Sequence, residues 1–133
     1  MTSTKERFFE DLATATDWWV ASTCNLLVDP EADDVAVSNG ESFRRVARAL
    51  VREGVARVDL EKALAESMRG LAMSFLTILD GGTKLAETAR VHLIDDTTKK
   101  AIGEGLHEQF MGYLMDSGRV RPVEFLPEGK SSN

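Results

Sequence analysis

Few residues in this sequence could do chemistry. His107 and Glu108 are adjacent, His92 stands upstream of them, and Asp80, Asp95 and Asp96 flank the same stretch. If a hairpin folds back over a helix ending at Asp80, two imidazoles and several carboxylates meet. That set suits a divalent metal or acid–base work, with Asp80, His92 and His107 as the candidate ligand site. The spacing argues for a plainer reading. Neighbours on a helix such as His107 and Glu108 point about 100° apart, and no two of these residues share a tight metal-ligand pattern. Glu108 near a helix start simply complements the helix dipole. On that reading there is no catalytic residue, no metal and no cofactor.

Four further features invite a functional reading. The turn Asp80-Gly81-Gly82 could cradle an anion with successive amides, although diglycine after a helix also makes a sharp exit. Arg44, Arg45, Arg48 and Arg52 form one helix face that could grip phosphate or an acidic partner. Glu41, Glu53 and the acidic run 29–34 are close enough in sequence to neutralise that face. Cys24 is the only cysteine and, beside an apolar helix face, reads as a small hydrophobe. Trp18 is the most informative residue. It falls among Arg7, Asp11 and Asn25, away from the apolar side of its helix, and tryptophan is enriched at interaction hot spots. Either another element of the chain covers it or a partner does, in a homodimer or in a complex with another protein. Signatures of nucleotide-binding, zinc-protease and serine-hydrolase sites are missing from the sequence.

These residues must be positioned by a chain of 133 residues, enough for one domain, with 43% hydrophobic and 29% charged residues. A domain of this size buries about two-thirds of its unfolded surface and needs no metal or disulfide to fold. There is no apolar run long enough for a membrane span. The N-terminal stretch is acidic and lacks the apolar core of a secretory signal, so the expectation is a cytoplasmic protein. The net charge is −6, and residues 1–38 hold two basic and eight acidic residues. That charge opposes direct nucleic-acid binding and suits a basic protein partner.

The apolar pattern predicts a first helix over residues 4–28, with Phe8, Leu12, Trp19 and Leu26 in one row and Phe9, Val20 and Leu27 in the next. Asp29-Pro30 ends it. Ser38 and Glu41 form a capping box for a second helix whose inner side is Phe43, Val46, Ala47, Leu50 and Val51. Gly54 stops that helix. A third starts at Asp59 with Leu60, Leu64, Met68, Leu71, Phe75 and Leu79 inward. Residues 71–79 are apolar nearly all round, which places this helix at the centre of the domain as its most buried part. A strand over 88–95 and a short return strand over 100–103 form a hairpin. A fourth helix over 105–116 turns Leu106, Phe110, Tyr113 and Leu114 inward. The expected fold is therefore mostly α, within the α+β class: about four helices around a central apolar helix, with one short β-hairpin. Residues 1–126 form the domain, and 127–133 are an expected disordered tail.

The stretches GLAMSFLTILDGG (70–82), VHLID (91–95) and GLHEQFMGYLMDSG (105–118) resemble a pattern in small uncharacterised bacterial proteins. Those chains carry an apolar helix ending in Asp-Gly-Gly, a short strand pair and a Leu-His-Glu-x-Phe helix. In size and acidity the chain is also similar to immunity and inhibitor proteins of toxin and phage-defence systems, with no matching residues to transfer. The expected function is a non-enzymatic interaction module, an acidic binder or inhibitor of another protein, with Trp18 and the Arg44, Arg45, Arg48 and Arg52 face as its surface. The alternative is a small-molecule or metal-binding protein, or an enzyme, using Asp80, His92 and His107.

Overall fold

The computed structural model describes residues 2–32 and 40–120. Its elements in chain order are α1 (Thr4–Val28), α2 (Gly40–Arg52), α3 (Arg57–Leu79), a 3-10 turn (Lys84–Glu87), β1 (Ile94–Asp95), β2 (Lys100–Ala101) and α4 (Leu106–Asp116). The protein is mostly helical, with four helices and one short antiparallel hairpin among the described residues.

Local chemistry sets most of these boundaries. The Ser3 hydroxyl accepts from the Glu6 N–H while the Glu6 carboxylate accepts from the Ser3 N–H, a reciprocal cap that starts α1. The capping box expected at Ser38 lies outside the described residues, as do the tail and most of the acidic run's far end. Gly54 takes φ 69° just after α2, and Gly81 takes φ 77° just after α3. Both are left-handed positions that cost glycine little. α3 begins at Arg57, two residues before the expected Asp59, and Arg57 pairs with Glu61 one turn on.

α1 touches all three other helices, while α2 packs mainly on α1 and α4 closes one end against α3. The principal core joins Phe9 and Ala13 of α1, Ala72, Leu76 and Leu79 of α3, and Leu106, Phe110 and Leu114 of α4. The Phe9 and Phe110 rings lie 5.4 Å apart inside it. Cys24, Leu26, Leu27 and Ala47 are buried elsewhere, on α1 and α2.

Three expectations about burial are corrected. Residues 71–79 are not buried throughout: Ala72, Leu76 and Leu79 are, but Leu71 is 70% exposed, Phe75 46% and Ile78 39%. A helix apolar all round needs neighbours all round, and α3 has α1 and α4 while α2 lies mainly on α1. Trp19, expected in the core, is 43% exposed. It sits about 100° around α1 from the buried line Phe9, Ala13, Cys24 and Leu27. On α2 only Ala47 of the five expected inward residues is buried, and Val46 and Val51 are exposed.

The strand expected over 88–95 shrinks to two residues, because a strand extends only as far as its partner. Ile94 pairs with Ala101 and Asp95 with Lys100. One more bond, from the Ile102 N–H to the Leu93 carbonyl, ends the ladder before Gly103 turns the chain at φ 133°. The Asp95 carboxylate holds the hairpin in place. It accepts from the N–H groups of Thr97 and Thr98 and from the Thr4 hydroxyl at the start of α1.

Candidate functional site

Asp80 and His107, far apart in sequence, meet where α3 ends and α4 begins. Asp80 follows the last residue of α3, and its carboxylate is almost fully buried. One oxygen accepts from the Leu106 N–H and the other from the His107 N–H, each at 2.8 Å. Gly105, the residue before α4, supplies no side-chain cap of its own. Asp80 therefore does the work of an N-cap from another element, satisfying two of the free donors of α4 and meeting its positive end. The His107 ring also contacts it, Nδ1 to Oδ2 at 2.5 Å. Burial alone would push the Asp80 carboxyl up. The His107 backbone and ring bonds, with the Leu106 N–H, outweigh that and hold it below the ordinary carboxylate range.

The carboxylate can only accept, so Nδ1 carries the shared proton and Nε2 points away from the pair. Nε2 lies 3.9 Å from the exposed Glu108 carboxylate. Such an orientation prepares an imidazole for a base or a ligand role, but it is also what a helix cap needs. His92, the third member of the expected site, is exposed on the segment before β1 and makes no hydrogen bond or ion pair among the described residues. Among the described residues no three His, Cys, Asp or Glu side chains are grouped to hold a metal ion. The structure thus brings together Asp80 and His107 and leaves His92 apart from them.

The Asp80-Gly81-Gly82 turn does not offer its amides to an anion. The Gly81 N–H donates to the Ile78 carbonyl and the Gly82 N–H to the Thr77 carbonyl. Arg90 lies across Gly81, so close that a Cβ there would stand 2.5 Å from its guanidinium. Only glycine fits both that contact and the left-handed backbone.

The arginine face of α2 is partly neutralised. Arg45 pairs with Glu41 at 2.8 Å and Arg52 with Glu53 at 3.5 Å, both in exposed positions worth little. Arg44 folds back over Gly40. Arg48 is exposed and makes no ion pair among the described residues. Cys24 is fully buried, and burial pushes its thiol up, against a nucleophilic role.

Trp18 is 49% exposed, and no other element of the described chain buries it. Its ring meets Trp19 edge to face at 4.9 Å between centroids. The two indoles form one exposed aromatic surface on α1.

An open groove of about 1180 Å³ runs between α1 and α3. Val20, Ala21, Val58 and Ala65 supply its apolar wall, and Arg119 closes one end. Arg119 donates to the Asp17 carboxylate at 3.0 Å and lies over the Tyr113 ring, while Arg69 donates to its carbonyl. Sequence reasoning passed over this network, since Asp17, Arg69 and Arg119 have no local spacing that marks them as partners. It also passed over the exposed side of α3, whose signal was present: two parallel rows of apolar and small residues on one helix. Among the described residues no helix is long and apolar enough to cross a membrane. Comparison with protein families, with curated proteins and with solved structures finds no match.

Proposed function

We propose that this protein is a non-enzymatic interaction module, an acidic binder of another protein. The observation that carries this reading is the exposed Trp18–Trp19 pair. An indole left in water adds little to folding, while one covered by a partner buries a large apolar area and satisfies its N–H. The charge of −6 selects a basic partner: it raises the on-rate for a positive surface, and two indole faces receive Lys or Arg side chains by cation–π contact.

The test is capture from the native host with wild-type protein and with the Trp18→Ala and Trp19→Ala variants. A basic protein retained at about 50 mM salt, released as the ionic strength rises, and weakened roughly tenfold or more by either substitution supports the reading. Equal retention by all three proteins overturns it.

One observation favours a second reading, in which Asp80 and His107 form a ligand site: a buried carboxylate holds an imidazole with Nε2 facing outward. Titration of zinc or a small anion against wild-type and His107→Gln protein tests it. Binding that is the same in both removes His107 from any site.

A further inference from the structure

We propose that the outer face of α3 is a self-association surface, on which two copies of this chain pair their α3 helices antiparallel about a two-fold axis between Ala72 and Met73. The proposal concerns a different face from the tryptophan pair and does not rest on it.

The face consists of two adjacent rows. Leu71, Phe75 and Ile78 form a ridge of exposed apolar side chains. Leu64 and Met68 continue that ridge toward the helix start as half-buried residues, giving a 4-3-4-3 spacing of the kind that helix pairs use. Beside it, Ser67, Gly70 and Ser74 form an exposed row of small residues, a groove running parallel to the ridge. No charged residue occurs from Gly70 through Leu79, in a chain where 29% of residues are charged. A partner chosen by charge has nothing to grip here. Two copies that each carry −6, however, can approach through this face without opposing like charges.

The two rows are complementary to each other in one register. A two-fold axis between Ala72 and Met73 sets Leu71 opposite Ser74 of the second copy, Phe75 opposite Gly70 and Ile78 opposite Ser67. Each ridge residue meets a small one, and the largest meets the smallest. By symmetry every contact occurs twice, as an isologous interface requires. Antiparallel helices also place opposite dipole ends side by side. The hydroxyls bordering the axis are already satisfied: Ser74 donates to the Gly70 carbonyl and Thr77 to the Met73 carbonyl. Covering them leaves no unpaired donor. Nothing within 4 Å would touch a Cβ at Gly70, so that position is free for close approach.

A face of this length, about 20 Å at 1.5 Å per residue, is smaller than the roughly 800 Å² per partner of a standard interface. The dimer is accordingly weak and reversible, forming at micromolar concentrations.

Sedimentation of the full chain across about 1 to about 200 µM tests this, with circular dichroism confirming that each variant is folded. Wild type is expected to pass from monomer to dimer in that range. Leu71→Lys, at a position 70% exposed in the monomer, is expected to weaken the dimer about tenfold or more. Gly70→Leu should abolish dimerisation by striking Phe75 of the second copy, and the double variant Gly70→Leu with Phe75→Ala should regain it by restoring the volume. Trp18→Ala should leave the equilibrium unchanged, which separates this face from the tryptophan surface. A wild type that stays at 14.6 kDa throughout overturns the proposal and leaves the face to another protein's helix. A Leu71→Lys variant that dimerises like wild type, or a double variant that stays monomeric, overturns it as well.

Discussion

Two lines of side chains on the second half of α3 have almost the same composition and opposite fates. Ala72, Leu76 and Leu79 are at most 6% exposed, sealed by α1 and α4. Leu71, Phe75 and Ile78, one residue before each of them, stay largely open. Hydrophobicity does not separate the two lines. Which side of the helix its neighbours occupy does, and the difference separates residues that hold the fold from residues left free for contacts.

Substitutions on the two lines sharpen that contrast. The largest effect belongs to Leu76→Ala, which empties a fully buried site and should cost ~3–5 kcal/mol of stability in urea unfolding. Phe75→Ala, measured at low protein concentration, should cost less than about 1 kcal/mol although it removes more atoms. A Phe75→Ala loss equal to that of Leu76→Ala would show that both lines are covered, and the contrast would fail.

Asp80, where the buried line ends, comes next. Asp80→Ala strips α4 of its cap and should cost ~1–2 kcal/mol. Its folded-state acidity lies below the ordinary value, so its contribution is fully present above the unfolded carboxyl range near pH 4 and fades as pH falls toward the folded value. Unfolding midpoints from about pH 7 to about pH 3 should therefore converge for wild type and Asp80→Ala at the acid end. A gap that stays constant with pH would mean that the bonds to Leu106 and His107 do not depend on the charge.

Smaller effects are expected on the open surfaces. Gly70→Ala should stabilise the dilute monomer by ~0.5–1 kcal/mol, because alanine favours helix and the site is empty. Trp18→Ala should stay within about 0.5 kcal/mol of wild type. A loss of several kcal/mol there would mean that a segment of the same chain covers the indole.

The helices were legible in the sequence because their signals are local. Ser3 and Glu6 cap α1, glycines close α2 and α3, and apolar spacing of 3.6 residues marks all four. The inward residues Leu106, Phe110 and Leu114 of α4 were legible for the same reason. The Asp80–His107 contact was legible only as a possibility among several carboxylates, since it depends on where the hairpin returns the chain. His92 was grouped with them on nearness in sequence, and an extended segment carried it elsewhere.

By itself the sequence determined that this chain is mostly helical, where most of its helices begin and end, and which residues are apolar enough to be buried. These properties depend on backbone hydrogen bonding and side-chain type within a few residues. Only the tertiary structure decided which side of α3 is covered, that Trp19 stays outside the core, and that Asp80 caps a helix other than its own. An apolar arc on a helix says that the side chains gain by leaving water. It does not say how many neighbours the rest of the chain can supply, and here α2 was spent on α1 and left one face of α3 open.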